Sequence, residues 1–290
     1  MVGKLYLVGT PIGNLEDISL RALRVLKEVD LILAEDTRRT RGLLAHFDLG
    51  TSITSCHEHN ERQLADKALA WLQTGKNLAL VTDAGLPCIS DPGQYLVQEV
   101  LANRLPVVAI PGPTAFALAL IVSGLPTDQF TFWGFPPRQG NKRQELFRTA
   151  LSNPETSIFY EAPTRLVRTL TDLAQLAPDR PAAVARELTK IYEEVQRGSL
   201  AQLAVQFKQR RLKGEICLVV RGRSPDEGPL LLAAEPLPNP VTLVARLEAE
   251  GLDRKEAMRA AARKLGLSRR NVYQQLLKAR QKQKQDTDTD

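Results

Sequence analysis

The chain has 290 residues, 43% of them hydrophobic and 25% charged, which is the make-up of a globular protein large enough for two domains and a small third. No run approaches the roughly 18 apolar residues of a membrane span. No charged segment, apolar core and cleavage site open the chain, so neither an anchor nor a signal peptide is expected. The net charge of +6 is uneven: residues 1–240 balance to +1, residues 241–285 carry +8, and Asp286, Asp288 and Asp290 subtract three. A polyanionic partner held by a basic appendage is therefore expected.

In chain order, short apolar runs at Leu5–Val8, Leu31–Ala34, around Ile53, Leu78–Val81 and Val107–Ile110 read as buried strands. Between them, Ile18–Glu28, Arg38–Phe47, Glu61–Gln73 and Pro92–Ala102 read as helices with one apolar face. Strands alternating with helices predict a mostly parallel sheet covered on both sides, an α/β domain over residues 1–124. Each strand ends in a polar or Gly/Pro-rich turn: Gly9-Thr-Pro-Ile-Gly13, Glu35-Asp-Thr-Arg38, His57-Glu-His-Asn60, Asp83-Ala-Gly-Leu-Pro87 and Pro111-Gly-Pro-Thr114. In a parallel sheet these ends share one rim, the expected ligand side. The first turn matches neither G-x-G-x-x-G nor a P-loop, so neither a dinucleotide nor a nucleoside triphosphate site of those kinds is expected.

Residues 125–222 predict a second α/β domain with a mixed sheet. Its strands are expected at Phe130–Phe135, Ser157–Tyr160, Ala182–Ala185 and Glu215–Val220, and its helices at Asn141–Leu151, Pro163–Leu176 and Ser199–Arg210. Ala182–Leu188 and Ile191–Arg197 read as the arms of a hairpin. Residues 223–240 hold five prolines and one glycine, with Gly222 just before them, a linker. Beyond it, Val241–Ala249, Asp253–Leu265 and Arg269–Lys284 read as helices, the second ending at Gly266 and the third capped by Ser268. Together, over residues 241–285, they have the layout of a helix-turn-helix module, with a frayed end over 281–290.

Cys56, Cys88 and Cys217 are far apart and odd in number, as free thiols of a reducing compartment would be. His57 and His59 lack a third well-spaced ligand, so no metal site is expected. Asp83 can accept hydrogen bonds from a ribose or an amine, or cap its own turn. Asp36 can cap the next helix, with Glu35 and Arg38 beside it. Arg186, Glu187 and Lys190 either pair with one another or line a cleft between the domains.

Taken in order, Gly9-Thr-Pro-Ile-Gly-Asn-Leu-Glu-Asp17, Ala34-Glu-Asp-Thr-Arg38, Thr82-Asp-Ala-Gly-Leu-Pro87, Pro111-Gly-Pro-Thr-Ala115 and Ala185-Arg-Glu-Leu-Thr-Lys190 resemble the tetrapyrrole-methylase superfamily. Within it they are similar to the ribosomal RNA small-subunit methyltransferase I branch, and the basic tail resembles that branch's C-terminal extension. The first turn departs from the G-x-G-P-G-D of corrin and sirohaem methylases, which weakens a corrin-type reading. The resemblance implies two α/β domains with S-adenosyl-L-methionine in the cleft between them. It implies methyl transfer to the 2′-hydroxyl of a cytidine in small-subunit (16S) ribosomal RNA, within the 30S subunit, by a cytoplasmic homodimer. Carried over, the cofactor contacts are Thr10, Pro11, Asp83, Leu86, Thr114, Ala115, Tyr160, Glu161, Ala185 and Glu215. For accepting the proton or orienting the ribose the candidates are Asp36, Glu187 and Lys190, the last only with a lowered pKa. Arg38, Arg254, Lys255, Arg263, Lys264, Arg269 and Arg270 are expected on RNA, with Arg259, Lys278 and Arg280 beside them. Two rivals stand against this reading: a methyltransferase of a tetrapyrrole precursor, and a non-catalytic RNA-binding protein.

Overall fold

A computed structural model describes residues 1–224, 226–227, 240–265 and 267–277. Most of the expected linker, including Pro225, Gly228, Pro229, Pro236 and Pro238, lies outside the described residues. So do Gly266, Lys278, Arg280 and the segment 281–290.

Strands β1 (Leu5–Val8), β2 (Leu31–Ala34), β3 (Ile53–Ser55), β4 (Leu78–Val81) and β5 (Val107–Ile110) form one sheet in the order β3-β2-β4-β1-β5. Every pairing in it is parallel. The continuous apolar runs follow from burial on both faces. Successive side chains of a strand alternate between faces. Leu5, Leu33, Leu78 and Leu80 pack with Leu64, Ala68 and Leu72 of α3 (Glu61–Gln73) and Leu96 and Val100 of α4 (Gln94–Ala102). Val8, Ile32, Ala34, Ala79 and Val81 face the other way, onto α1 (Leu20–Glu28) and α2 (Thr37–His46). Each fully buried aliphatic side chain here contributes about 1.5–3 kcal/mol.

The start of α4 closes the long turn that follows β4. Its N-cap is Gly93, which has no side chain to cap with. The buried Glu61 supplies the acceptor from α3, taking the Leu96 N–H at 2.9 Å, where the helix dipole favours a carboxylate. Glu61→Ala is expected to cost about 1–3 kcal/mol in equilibrium urea unfolding; an unchanged midpoint would refute this anchoring role.

The second sheet has the order β6-β7-β10-β8-β9 and comprises β6 (Phe130–Gly134), β7 (Thr156–Glu161), β8 (Pro181–Arg186), β9 (Glu194–Ser199) and β10 (Ile216–Val220). Only β6–β7 is parallel, so the sheet is mixed. Helices α6 (Asn141–Ser152), α7 (Pro163–Leu176) and α8 (Leu200–Lys208) bury its outer face around Phe147, Phe159, Leu170 and Leu218. Its inner face meets α5 (Ala115–Ser123), which leaves the end of β5 and packs on β7, β8, β9 and β10.

The hairpin differs from its expected form. The second arm begins at Glu194 rather than Ile191, and residues 187–193 form a loop. Glu187 (φ 53°) and Thr189 (φ 67°) turn into the left-handed region. The Thr189 N–H donates to the Glu193 carboxylate at 2.6 Å, which fastens the loop shut.

Helices α9 (Pro240–Ala249) and α10 (Arg254–Leu265) and a helix over residues 269–277 enclose a separate small core of Leu243, Val244, Ala257, Ala261, Leu265, Val272 and Leu276. Asp253 accepts the Glu256 N–H at 2.8 Å and Ser268 accepts the Asn271 N–H at 3.2 Å, capping the second and third helices. Arg254, Lys255, Arg259, Arg263, Lys264, Arg269 and Arg270 are all exposed. Among the described residues no helix is long and apolar enough to cross a membrane.

Candidate active site

The turns at the carboxyl ends of β1, β2, β4 and β5 are knitted together. Thr10 and Gly85 exchange backbone hydrogen bonds at 2.9 and 3.0 Å, and the Thr10 hydroxyl donates to the Thr82 carbonyl at 3.1 Å. Glu35 accepts the Thr82 hydroxyl at 2.6 Å and the Asp83 N–H at 3.2 Å. Asp83 accepts the Asp36 N–H at 3.1 Å and pairs with Arg39 at 3.3 Å. The β1 and β5 turns touch backbone to backbone: a Cβ added to Gly9 would lie 2.7 Å from the Gly112 Cα.

Between this rim and the inner edge of the second sheet lies a cavity of about 370 Å³, within the range of small-ligand sites. Of the ten expected cofactor residues, eight line it: Asp83, Leu86, Thr114, Ala115, Tyr160, Glu161, Ala185 and Glu215. Thr10 and Pro11 do not; Thr10 is buried beneath the rim and holds the turns together. Tyr160 accepts the Phe116 N–H at 3.3 Å at the start of α5, and burial pushes its phenol upward. Glu161 is fixed by the Thr169 hydroxyl at 2.5 Å and by Arg165 at 2.6 Å. Cys217 also lines the cavity, with its thiol pushed up by burial; Cys56 and Cys88 are pushed up to about 12 and about 11, chiefly by burial. All three are free thiols, and such pKa values leave them unreactive.

Five carboxylates line the cavity (Glu35, Asp83, Asp91, Glu161 and Glu215); Arg39, Arg165 and Lys190 pair with Asp83, Glu161 and Glu215, which leaves Glu35 and Asp91 without a cation among the described residues. The surplus of negative groups beside the apolar Ile12, Leu86 and Leu188 suits a ligand that is part cation and part apolar ring. Burial, with Glu35 nearby, raises the Asp83 carboxyl against the pull of Arg39. Burial pushes Asp91 up to about 6, with Glu35 and Asp83 adding to it and the nearby Thr82 side chain opposing it. Glu35, Arg39 and Asp91 were not among the expected site residues. Asp91 immediately precedes the stretch Pro92–Ala102 read as a helix, and the sequence assigns it no role; the left-handed Cys88 (φ 70°) and Ser90 (φ 64°) fold its turn back onto the cavity.

The three candidates for the proton or the ribose do not line the cavity. Asp36 caps α2 and grips Arg38 through two further hydrogen bonds, which hold its carboxyl well below the usual range. Burial acts to lower Lys190, but the Glu187 hydrogen bond at 2.9 Å and Glu215 at 3.3 Å outweigh it, so the ammonium lies above its ordinary value. The lowered pKa that a lysine base needs is absent. Burial acts to raise Glu187, and the Lys190 and Glu215 N–H hydrogen bonds overcome it, so its carboxyl is lowered. The Lys190 stem lies against Gly13, joining this loop to the β1 turn: a Cβ there would sit 2.3 Å from the Lys190 Cγ. His57 and His59 face each other at 5.9 Å after β3, away from the cavity.

The model of the tetrapyrrole (corrin/porphyrin) methylases matches residues 4–204. A protein of Halalkalibacterium halodurans named ribosomal RNA small subunit methyltransferase I is 44% identical over 93% of both chains. Its namesake in Synechocystis is 46% identical over 94% of this chain and 97% of that one. Among solved structures, diphthine synthase superposes with a TM-score of 0.58 at 15% identity, over 76% of this chain and 90% of that one. Uroporphyrin-III C-methyltransferase from Thermus thermophilus, complexed with S-adenyl homocysteine, gives 0.53 at 20% identity, over 75% and 97%. At these identities the solved structures establish a common fold.

Proposed function

The chain belongs to the tetrapyrrole (corrin/porphyrin) methylase family, and from that premise we propose that it is an S-adenosylmethionine-dependent methyltransferase of small-subunit ribosomal RNA. The observation that carries the substrate class is the likeness to relatives of that name over 93–94% of the chain, well past the end of the family model at residue 204 and into the basic module. The finer reading is transfer to the 2′-hydroxyl of a cytidine, in the 30S particle, by a cytoplasmic homodimer.

The cavity's residues fit the cofactor. Its carboxylates match a sulfonium and an amine, and Ile12, Leu86 and Leu188 give a water-poor wall. When bound, the cofactor supplies an electrophilic methyl group on a positively charged sulfur. Asp83, Leu86, Thr114, Ala115, Tyr160, Glu161, Ala185 and Glu215 hold it, with Thr10 and Pro11 supporting the turn beneath. Fixing two reactants in line contributes on the order of 7–11 kcal/mol. A ribose hydroxyl must also lose its proton. Asp91 is the cavity carboxyl with a pKa of about 6, suited to accepting a proton near neutrality. Asp36, Glu187 and Lys190, each one hydrogen bond away from the cavity wall, orient groups around it. Asp36→Asn is expected to slow single-turnover methylation by less than about tenfold, with cofactor binding retained. A loss of about 10² or more would return the proton-accepting role to Asp36.

Labelled methyl transfer tests the whole reading. Label is expected in 30S particles and not in a porphyrin precursor; transfer to the precursor alone would overturn it, and no cofactor binding by calorimetry would favour a non-catalytic RNA binder. Deleting residues 236–290 is expected to weaken ribosomal RNA binding and to flatten its salt dependence, because that deletion removes the exposed cations of the basic module. Unchanged affinity would assign the module another purpose.

A further inference from the structure

Ile191 and Tyr192, at the tip of the 187–193 loop, are 93% and 73% exposed. Two large apolar side chains held side by side in water are unfavourable, and this loop is no loose coil. Besides the Thr189 clasp, the Lys190 N–H donates to the Glu187 carbonyl and the Glu193 N–H to the Lys190 carbonyl, both at 3.0 Å. The tip is therefore presented in a fixed form, which lowers the ordering cost of binding.

A basic stretch lies beside it. Lys208, at the end of α8, and Arg210, Arg211 and Lys213, between α8 and β10, are exposed. Arg210 is paired with Glu194, whereas Lys208, Arg211 and Lys213 have no ion-pair partner among the described residues. The two segments are locked together: the Glu215 N–H donates to Glu187 at 2.9 Å, and a Cβ on Gly214 would strike the Glu187 carboxylate at 2.1 Å. The acidic neighbours are engaged, Glu187 and Glu215 with Lys190, Glu193 with the Thr189 N–H, and Glu194 with Arg186 and Arg210. Six cations (Arg186, Lys190, Lys208, Arg210, Arg211 and Lys213) stand against these four carboxylates, so the net charge of the surface is positive. Leu188 and Glu215 carry the surface directly to the cavity, and Arg39 meets the same cavity from the first domain.

The geometry points to a second RNA-contacting surface, on the catalytic body rather than the C-terminal module. On it Tyr192 stacks on an unpaired base beside the target nucleotide, and Lys208, Arg211 and Lys213 hold the flanking phosphates. An aromatic platform next to unpaired cations is how proteins hold single strands, and splayed, unstacked nucleotides are what an RNA-modifying site can reach. This inference rests on the RNA reading given above.

The test uses the full chain, with Tyr192→Ala, Tyr192→Phe and a triple Lys208→Gln, Arg211→Gln, Lys213→Gln variant. KM and kcat are measured on 30S particles, Kd on a single-stranded RNA dodecamer, cofactor affinity by calorimetry, and assembly state by sedimentation. Tyr192→Ala is expected to raise KM and Kd about tenfold or more, leaving kcat, cofactor affinity and sedimentation unchanged, while Tyr192→Phe stays close to wild type. The triple variant should flatten the slope of log affinity against log salt by about 2. Wild-type KM and Kd in Tyr192→Ala would overturn the inference. So would altered sedimentation of that variant, which would give the surface to a second copy of the chain. Failure of the wild-type protein itself to bind or methylate RNA would instead show in the first arm and would sink both readings.

Discussion

Alanine at position 9 is expected to destabilise the fold by about 1–3 kcal/mol and to weaken cofactor binding by about tenfold to a hundredfold. The added methyl would lie 2.7 Å from the Gly112 Cα, 3.0 Å from the Gly112 nitrogen and 3.1 Å from a Leu86 methyl. The first two are backbone atoms, so no rotamer change relieves the clash; the β1 and β5 turns must part. Those turns position Thr114, and Leu86 itself lines the cavity, so the strain falls on the binding wall. Gly112→Ala meets the same contact from the other side, 2.7 Å from the Gly9 Cα. The double variant should therefore cost less than the sum of the singles, because one displacement serves both. Gly42→Ala is the control: it lies in α2 with nothing within 4 Å of the added Cβ, and is expected to be neutral or to stabilise by up to about 1 kcal/mol. Calorimetry with S-adenosylmethionine and urea unfolding check all four proteins. Full cofactor affinity in Gly9→Ala would mean that the close approach does not shape the site.

The first sheet was legible in the sequence because its physics is local. Runs such as Leu31–Ala34 and Leu78–Val81 are apolar throughout and end at polar or glycine turns, and burial on both faces leaves that mark. Helix α5 left none: Ala115–Ser123 is apolar on every side, so it has no period to detect, and its partners are the strands of the other sheet. Residues 191–193 read as strand from Ile and Tyr, yet the ion pairs of Lys190 and the Glu193 clasp decide otherwise, and those partners are up to 25 residues apart. Electrostatics was the least legible layer. Whether Lys190 serves as a base depends on Glu187 and Glu215, and whether Asp91 titrates near neutrality depends on its burial first and then on Glu35 and Asp83. The motifs place Glu35 and Asp83 on one rim and Glu187 and Lys190 after a strand of the second domain, but only the folded chain brings Asp91 and Glu215 to them and sets their mutual distances.

Asp91→Asn is expected to lower kcat by about 10²–10⁴ and to remove a limb of the pH profile. A proton acceptor must be ionised. With its carboxyl pushed up to about 6, wild-type activity should fall below that pH as Asp91 takes up a proton, and the asparagine variant should show a low rate without that limb. Cofactor affinity separates this role from simple charge compensation. A residue that only neutralised the sulfonium would lower affinity and leave the rate of the bound complex intact, and that outcome would overturn the assignment. Stability guards against a trivial loss. The carboxyl sits above its ordinary 3.8 in the fold, so between about pH 4 and pH 6 the native state binds more of this proton than the unfolded chain. By linkage, Asp91 makes the protein less stable as pH rises through that window, and the deficit persists above it. Asparagine carries no such penalty, so the variant should unfold at a higher urea concentration than wild type at pH 7 and at a similar one near pH 4. A protein that is both more stable and nearly inactive places the defect in the chemistry of the cavity and not in its folding.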